Sequence, residues 1–410
     1  MAHLTRPSIV SAMTYDVARV RGLFPSLGDG WIHLDPQVGM QIPDSVASTV
    51  SKAFRALVSG PGGVYPAARQ SRAIVDAARL AVADLVGGDP RGVVLGPSRG
   101  LLLNILAEAL NTRVWLGSQV VVSRLDDEAN LVPWLRAADR YGGKVVWAEV
   151  DIENGALPPW QYGDLIVDAT SVVAMTLASS TLGTVTDVRA VAEVIHAVDG
   201  LLVVDATNAA PYMSLDIDEL QADVMVVSAE RWGGPQTAAL VFRDPDYLSR
   251  VRPVSLSPNA EGPERLEVEG HQYAMLAGLV ASVEHLASLD EAAEGTRRER
   301  LVTSMTSLSH YLQRLLSYLI NSLDQLNTVR VLGTADARVP TVSFTVAGVT
   351  ADKVVRRLAD NGICALADVS NRALSGIGVD DVGGAVTIGL GQYSTPYEVD
   401  QLVRCLGSLG

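Results

Sequence analysis

The sequence predicts an α/β protein: a large, doubly wound and mostly parallel sheet domain, followed by a smaller α+β domain. Three observations predict this fold class. Short apolar runs alternate with amphipathic stretches through the first two-thirds of the chain. These runs are nearly continuous in Val, Leu, Ile and Ala, as in strands that are buried on both faces. The chain has 410 residues, which favours two domains over one small core.

The predicted strands of the large domain are short apolar runs. Ligands of such sheets gather at the carboxyl ends of the strands, so polar residues that end a run are candidates for the site. The predicted strands are Gly92–Leu95, Gln119–Ser123, Lys144–Glu149, Asp164–Val167, Val172–Leu177, Leu201–Asp205, Val224–Ser228 and Ala238–Phe242.

Apolar residues at helical spacing predict the helices. In the long helical segment predicted at Ala293–Leu323, Arg297, Arg298 and Arg300 are expected on the solvent side. Thr350 and Thr395 are predicted N-caps. The large domain is predicted over 30–290 and the small domain over 1–29 and 291–410. The helices are predicted at Ser71–Val86, Leu101–Leu110, Leu131–Tyr141, Asp187–Val198, Ala293–Leu323, Ala351–Asn361 and Pro396–Leu406, and the small-domain strands at Val329–Leu332, Thr341–Val346 and Ala385–Leu390.

Composition narrows the classes of function. The net charge of −14 argues against nucleic-acid or anionic-membrane partners, since both require a basic surface. Cys364 and Cys405 form neither a disulfide framework nor a metal-ligand spacing, so we expect a reduced, cytoplasmic protein without a metal. No apolar run approaches the roughly 18 residues of a membrane helix. Residues 1–15 lack the apolar stretch of a signal peptide.

Two consecutive strand ends carry the most specific pattern. Asp205 ends the apolar run Leu201-Leu202-Val203-Val204, and the next strand ends in Ser228-Ala229-Glu230-Arg231-Trp232-Gly233-Gly234-Pro235. A strand with Asp, then a strand with Ser-x-x-(Lys)-x-x-Gly-Pro, resembles the cofactor site of the class V aminotransferases and cysteine desulfurases, which use pyridoxal phosphate (PLP). The alternative interpretation of Asp205 is a strand-end cap.

Other segments resemble the same family in the same order. Each is weak alone, but their shared order and spacing extend the resemblance over most of the chain. They are Leu34-Asp35-Pro36 to Pro43, Gly63 to Arg79 with Leu95-Gly96, Asp126 to Trp134, Ser179 to Thr184, and Gly391 to Asp400.

The resemblance implies the PLP-dependent transferase (aspartate aminotransferase-like) fold, a homodimer and a set of cofactor contacts. Asp205 would pair with the pyridine nitrogen, because a positive ring nitrogen makes PLP an electron sink. Asn208 would bond the ring hydroxyl. His271 would reach the phosphate of the partner subunit, or else is a satisfied surface or interface histidine. The full set of implied cofactor residues is Ser98, Arg99, Gly100, Ser180, Asp205, Asn208, Ser228 and His271.

The family pattern fails at four chemically central positions. Arg231 stands at the Schiff-base lysine, and a guanidinium cannot usefully condense with an aldehyde. Asp127 stands where a histidine stacks on the ring, and Thr387 where an arginine grips the substrate carboxylate. The desulfurase cysteine loop falls near Asn371, so Cys364, in an apolar strand, is interpreted as a small core residue.

No other lysine is expected at the site. Lys52 lies in an early helix, Lys144 begins a strand at the end away from the site, and Lys353 lies in the small domain. The resemblance therefore implies noncovalent binding of PLP or of its aminated form, PMP, or no cofactor at all.

Three functions remain open at this point. The first is an enzyme that holds PLP or PMP noncovalently, with Glu128, Glu230 or His271 as its base. The second is a non-catalytic homodimeric binding or scaffold protein, for which we predict an ion pair between Asp127 and Arg231. The third is a different reaction on a small anionic substrate held by Arg231 and Arg99. Fold alone does not decide among them.

Overall fold

The computed structural model describes residues 15–56, 60, 62–368 and 371–409. Residues 1–14 lie outside the described part, and with them most of the segment inspected for a signal peptide and half of the predicted 1–29 portion of the small domain. No helix in the described ranges is long and apolar enough to cross a membrane.

The strands follow the apolar runs of the sequence closely. In the described residues they are β1 (Ile32–His33), β2 (Val93–Gly96), β3 (Gln119–Ser123), β4 (Lys144–Ala148), β5 (Thr170–Thr176), β6 (Leu201–Asp205), β7 (Val224–Ser228), β8 (Ala238–Phe242), β9 (Val329–Leu332), β10 (Thr341–Val346), β11 (Ile363–Cys364), β12 (Leu366–Asp368) and β13 (Ala385–Gly389).

The helices fill the connections between strands. They are α1 (Val17–Arg21), α2 (Asp44–Ala56), α3 (Pro66–Val86), α4 (Arg99–Ala109), α5 (Glu128–Tyr141), α6 (Tyr162–Leu165), α7 (Val188–His196), α8 (Ile217–Leu220), α9 (Tyr273–Ala287), α10 (Arg297–Asp324), α11 (Ala351–Asp360), α12 (Arg372–Gly376) and α13 (Pro396–Gly407).

The large sheet has seven strands in the order β2-β8-β7-β6-β5-β3-β4. Only β8 runs antiparallel to its neighbours. Successive residues of β6 enter opposite cores: Val203 belongs to one apolar cluster, and Leu202 and Val204 belong to the other. Both faces are therefore covered, which explains the continuous apolar runs. The predicted doubly wound α/β class is confirmed.

A second, antiparallel sheet of four strands, β12-β13-β10-β9, forms the core of the C-terminal part. The 28-residue α10 precedes it in the chain. A separate two-stranded sheet joins β1 to β11 in parallel, so a segment near the N-terminus pairs with the C-terminal third. The domain boundaries at 30 and 290 stay predictions.

Two local predictions are wrong. Residues 164–167 do not form a strand, because Tyr162–Leu165 is a short helix that follows a 3-10 turn at Pro159–Gln161. Pro159 fixes a helical φ at the start of this turn, and the apolar run that follows has only three residues. The three arginines of α10 do not point freely to solvent: Arg297, Arg298 and Arg300 pair with Asp84, Asp216 and Glu284.

The two predicted caps are at their expected positions. Thr350 precedes α11 and Thr395 precedes α13. At the latter, the Glu398 carboxylate accepts a hydrogen bond from the Thr395 amide at 2.7 Å, which satisfies one of the free donors of the helix start.

Candidate functional site

The candidate site lies at the carboxyl ends of β6 and β7, where the starts of α4 and α5 converge. Asp205, the last residue of β6, is 1% exposed. Its Oδ1 accepts a hydrogen bond from the Thr207 amide at 3.0 Å. A carboxylate this deeply buried requires a cation or strong donors beside it.

Arg99 supplies that cation. Its Nη1 donates to Asp205 Oδ2 at 2.5 Å, and its Nη2 donates to Asp127 Oδ2 at 2.7 Å. Arg99 begins α4, and Asp127 caps α5 through its Oδ1, so two helix starts bring the three groups together. Burial lowers the pKa of Arg99, but the two carboxylates outweigh burial and leave that pKa above its usual value. One guanidinium thus bridges two carboxylates.

The predicted ion pair between Asp127 and Arg231 is wrong. Asp127 pairs with Arg99, and the buried Nε and Nη1 groups of Arg231 donate to no partner among the described residues. Burial, followed by the nearby positive charge of Arg99, lowers the pKa of Arg231, although an arginine still remains protonated near neutral pH. Arg231 is therefore a half-buried cation whose Nε and Nη1 groups can donate hydrogen bonds to a ligand.

Ser228, the predicted phosphate contact, is also engaged within the chain. Its hydroxyl donates to Glu230 Oε2 at 2.5 Å. Glu230 and Arg231 lie in the 3-10 turn Ala229–Arg231 that follows β7. A phosphate at Ser228 would meet the negative charge of Glu230 and would have to displace this hydrogen bond.

Three buried polar atoms close to Asp205 in sequence have no hydrogen-bond partner in the part of the chain that the structure describes. They are Asn208 Oδ1, Thr207 Oγ1 and the Tyr212 hydroxyl. Burial raises the pKa of Tyr212, and nearby Arg231 opposes this rise. Sequence reasoning found Asn208 but missed Thr207 and Tyr212, although both follow Asp205 within one short segment. Unsatisfied buried groups of this kind are candidates for contacts with a ligand.

A second buried carboxyl lies beside this cluster. Asp126 accepts hydrogen bonds from the Ser123 hydroxyl and from Asn130 Nδ2, the latter at 2.6 Å. Burial raises the pKa of Asp126 to about 8 against these hydrogen bonds, and the negative charges of Asp205 and Asp127 add to the rise. This environment favours the protonated, neutral form of Asp126.

The remaining predicted positions lie nearby or have local partners. Ser98 caps α4 and accepts a hydrogen bond from the Leu101 amide at 3.4 Å, and Gly100 is the second residue of that helix. Ser180 is half-buried in the turn after β5. The Thr387 hydroxyl, on β13, contacts Asp368 and lies 2.7 Å from the Ser343 hydroxyl.

His271 has a partner of its own. Its Nε2 lies 3.1 Å from Glu267 Oε2, which also pairs with Arg79 at 2.8 Å. Burial raises the pKa of Glu267, but its bonds to His271, to Arg79 and to the Leu95 amide lower it more. This environment favours the satisfied-histidine interpretation. His271 borders a cavity of about 580 Å³.

Lysine is absent from the site. All three lysines of the chain are described and exposed: Lys52 on α2, Lys144 at the start of β4, and Lys353 on α11. The core interpretation of Cys364 is wrong, because this residue is half-buried and faces His33 and Asp35. The register of β1 and β11 determines this position.

The residues at the site do not fit a covalently held PLP. An aldehyde has no amine to condense with, since Arg231 occupies the expected position. Asp205, the expected partner of the ring nitrogen, already has one oxygen on Arg99 and the other on the Thr207 amide. Ser228, the expected phosphate donor, is bonded to Glu230.

Sequence and structure comparisons with known proteins are consistent with the α/β fold described above. The family model "Aminotransferase class-V" matches residues 32–402. An uncharacterized protein of Mycobacterium tuberculosis is 58% identical over 97% of this chain and 100% of its own length. A probable cysteine desulfurase of Streptomyces coelicolor is 26% identical over 95% of this chain and 96% of its own. The apo structure of a cysteine desulfurase from Thermococcus onnurineus superposes with a TM-score of 0.85, at 21% identity, over 100% and 99% of the two chains.

Proposed function

This chain belongs to the class-V aminotransferase family, and we propose that it has left Schiff-base chemistry and uses the site at Asp205 to bind a small anionic molecule. The observation that carries the proposal is the ion pair of Arg99 with Asp205, at 2.5 Å. This ion pair engages the carboxylate that a pyridine nitrogen would need, and the buried Nε and Nη1 groups of Arg231 have no hydrogen-bond partner among the described residues.

A carboxylate or phosphate group is the ligand chemistry that Arg231 suits best. A guanidinium presents parallel N–H donors that match the two oxygens of such a group. The Thr207 and Tyr212 hydroxyls are additional donors in the same region. Because the negative charges of Glu230 and Asp127 lie close to Arg231, a small ligand with one anionic group is favoured over a highly charged one.

Thermal unfolding of the purified protein tests the ligand class. We expect inorganic phosphate and simple carboxylates to raise the melting temperature of the wild type, because a ligand that binds only the folded state stabilises it. The variant Arg231→Gln should lose this response. Arg189→Gln, an exposed arginine on α7, is the matched control and should keep it. An equal response in Arg231→Gln would contradict the proposal.

Titration with PLP, followed by borohydride reduction, tests the loss of covalent chemistry. We expect no reduced lysine adduct at the site by peptide mass mapping, since the three lysines are exposed on α2, at the start of β4 and on α11. A stoichiometric adduct on any of them, accompanied by tight PLP binding, would overturn this part of the proposal.

Noncovalent PLP or PMP binding is the second candidate. Asn208 favours it, because its Oδ1 is unpartnered, the residue is 6% exposed, and it occupies the position expected to bond the ring hydroxyl. Saturable PMP binding that Asn208→Ala abolishes would favour this candidate over a simpler anion. The ion pair at Asp205 opposes it, because the ring nitrogen would then lack its anion.

A cytoplasmic homodimer is the assembly that we propose. The chain carries exposed apolar side chains next to the cavity of His271, including Phe54 and Ile42, which are 59% and 43% exposed. Met275 and Gln236 border both this apolar face and the cavity. The two free cysteines, Cys364 and Cys405, are compatible with a reducing compartment.

A further inference from the structure

A second polar cluster lies away from Asp205, where β1 pairs with β11. His33 and Cys364 are direct register partners in this parallel pair, so their side chains share a face. The chain continues extended beyond β1, and the Leu34 amide donates to the Cys364 carbonyl at 3.3 Å. Asp35 therefore follows His33 on the same face, while Leu34 is buried on the other.

The ligand atoms of these three residues converge. The imidazole nitrogen of His33, a carboxylate oxygen of Asp35 and the sulfur of Cys364 all lie within 4.8 Å of one another. His33 Nδ1 is 4.0 Å from Asp35 Oδ1. We propose that His33, Asp35 and Cys364 bind one Zn²⁺ ion.

Asp29 orients the imidazole for this role. Its carboxylate lies 3.1 Å from His33 Nε2. A carboxylate can only accept, so this contact places the ring proton on Nε2 and leaves the Nδ1 lone pair directed towards the cluster. A carboxylate behind the metal-binding imidazole is the usual outer support of histidine ligands.

Gln41 lies beside the three candidate ligands. Its side-chain nitrogen is 3.3 Å from His33 Nδ1, and a metal ion bound to Nδ1 would displace this contact. A half-turn of the amide would present its oxygen instead. Together with the three ligands, this oxygen or a water molecule provides the fourth position of a tetrahedral site.

The ligand set selects the kind of metal. One thiolate, one imidazole and one carboxylate suit Zn²⁺, whereas Mg²⁺ and Ca²⁺ require oxygen ligands. The sulfur must give its proton to solvent as the metal binds.

The proposal does not depend on the ligand bound at Asp205, but the two sites are connected through the chain. The segment after Asp35 runs directly to the Asp205 site, where the Met40 amide donates to the Glu230 carbonyl at 3.0 Å. A metal at His33 would thus fix the start of this segment to the C-terminal third through Cys364.

Cobalt substitution tests the site on the full-length protein. After treatment with a chelator, Co²⁺ is added to one equivalent and the near-ultraviolet thiolate-to-cobalt absorption is followed, then Zn²⁺ is added as competitor. We expect the band to appear with a stoichiometry of one and to disappear with Zn²⁺. Mg²⁺ in its place should leave the cobalt band unchanged.

Variants assign the band to these ligands. Cys364→Ser should abolish it and weaken Zn²⁺ binding by at least about tenfold, whereas Cys405→Ser, the matched control, should leave both unchanged. Asp29→Asn should keep the band and weaken binding by roughly 10- to 100-fold, as expected for an outer partner. If Cys364→Ser fails to fold, His33→Gln replaces it, with circular dichroism as the check on folding. No band in the folded wild type, or a band that survives in Cys364→Ser, would overturn the proposal.

Discussion

Asp205 and Arg99 form the ion pair on which the chemistry of the site depends. With Asp205 at 1% exposure, its ionised form is stable only beside a positive group. The resemblance to PLP enzymes would assign that role to a cofactor. In this chain the positive group is a side chain held at 2.5 Å, and Asp127 shares it at 2.7 Å.

Removal of the Asp205 charge should therefore destabilise the protein itself. Because Asp127 still partners Arg99, we expect Asp205→Asn to lower the free energy of unfolding by about 2 kcal/mol, less than when a buried charge loses every partner. Urea denaturation measures this change. The matched control is Asp127→Asn, whose side chain is 26% exposed and whose amide still caps α5, so its cost should be about 1 kcal/mol or less. A cost for Asp205→Asn no greater than that of the control would contradict this assignment.

Asp126 predicts a pH dependence of stability. Burial raises the pKa of Asp126 to about 8 in the folded protein, against about 3.9 in an unfolded chain. Between these values the folded state keeps a proton that the unfolded state releases, so the stability from this group is complete below about pH 4 and is lost as pH rises towards 8.

Asp126→Asn should remove this contribution to the slope. We expect urea midpoints of the wild type to decrease between pH 5 and pH 8 more steeply than those of the variant. Asp168→Asn, at an exposed aspartate, serves as the control and should keep the wild-type slope. Parallel pH profiles for the wild type and Asp126→Asn would show that Asp126 ionises normally.

Part of the site could be predicted from sequence at the residue scale. Asp205 and Ser228 end apolar runs, so their place at the sheet edge follows from local pattern. The partner of Asp127 could not be read in this way, because Arg99, Asp127 and Arg231 all approach one point from different elements. The sequence predicts Arg231 as this partner; the signal that points to Arg99 is its position at the start of α4, the helix that follows β2.

At the scale of elements, prediction succeeds where an element is fully buried. The bounds of β3, β6, β7 and β8 agree with the predicted runs, because a strand covered on both faces needs apolar residues throughout. It fails at α6, whose short apolar run is compatible with either helix or strand. It also leaves out β1, since a two-residue strand is defined by its pairing and not by its own pattern.

The turn between β5 and the small sheet depends on Gly183. Its φ is +72°, and a Cβ there would lie 2.8 Å from the Val339 carbonyl oxygen and closer still to that of Thr341. The Val339 amide donates to the Gly183 carbonyl at 2.8 Å, so the two sheets approach closely at this point.

Gly183→Ala should lower the free energy of unfolding by about 3 kcal/mol, since it combines backbone strain with a clash. Gly348→Ala is the matched control: its φ is +73° and nothing lies within 4 Å of a Cβ there. We expect about 1 kcal/mol for this control, from backbone strain alone. Chemical denaturation measures both variants, and equal losses would mean that the approach of the sheets is not tight.

At the scale of the whole molecule, the apolar face around Phe54 predicts self-association. Sedimentation velocity should give about twice the chain mass of 43.4 kDa, that is 2 × 43.4 = 86.8 kDa. Phe54→Asp should shift the protein towards the single chain, because an exposed ring then becomes a buried charge at the interface. Trp160→Asp, at another exposed aromatic, should not. A single-chain mass for the wild type at micromolar concentration would contradict the homodimer.

The bridge formed by Arg99 also bears on how this protein can change over evolutionary time. Arg231→Lys would return an amine to the site while Asp205 stays engaged, so it would gain little. Loss of Arg99 alone would leave Asp205 and Asp127 as two neighbouring carboxylates without their cation, at a cost in stability. Under the proposed function, a change towards Schiff-base chemistry by either of these substitutions alone is thus disfavoured. A lysine able to bind PLP and an Asp205 carboxylate free to pair with its ring nitrogen would therefore require at least two simultaneous substitutions, at Arg231 and at Arg99.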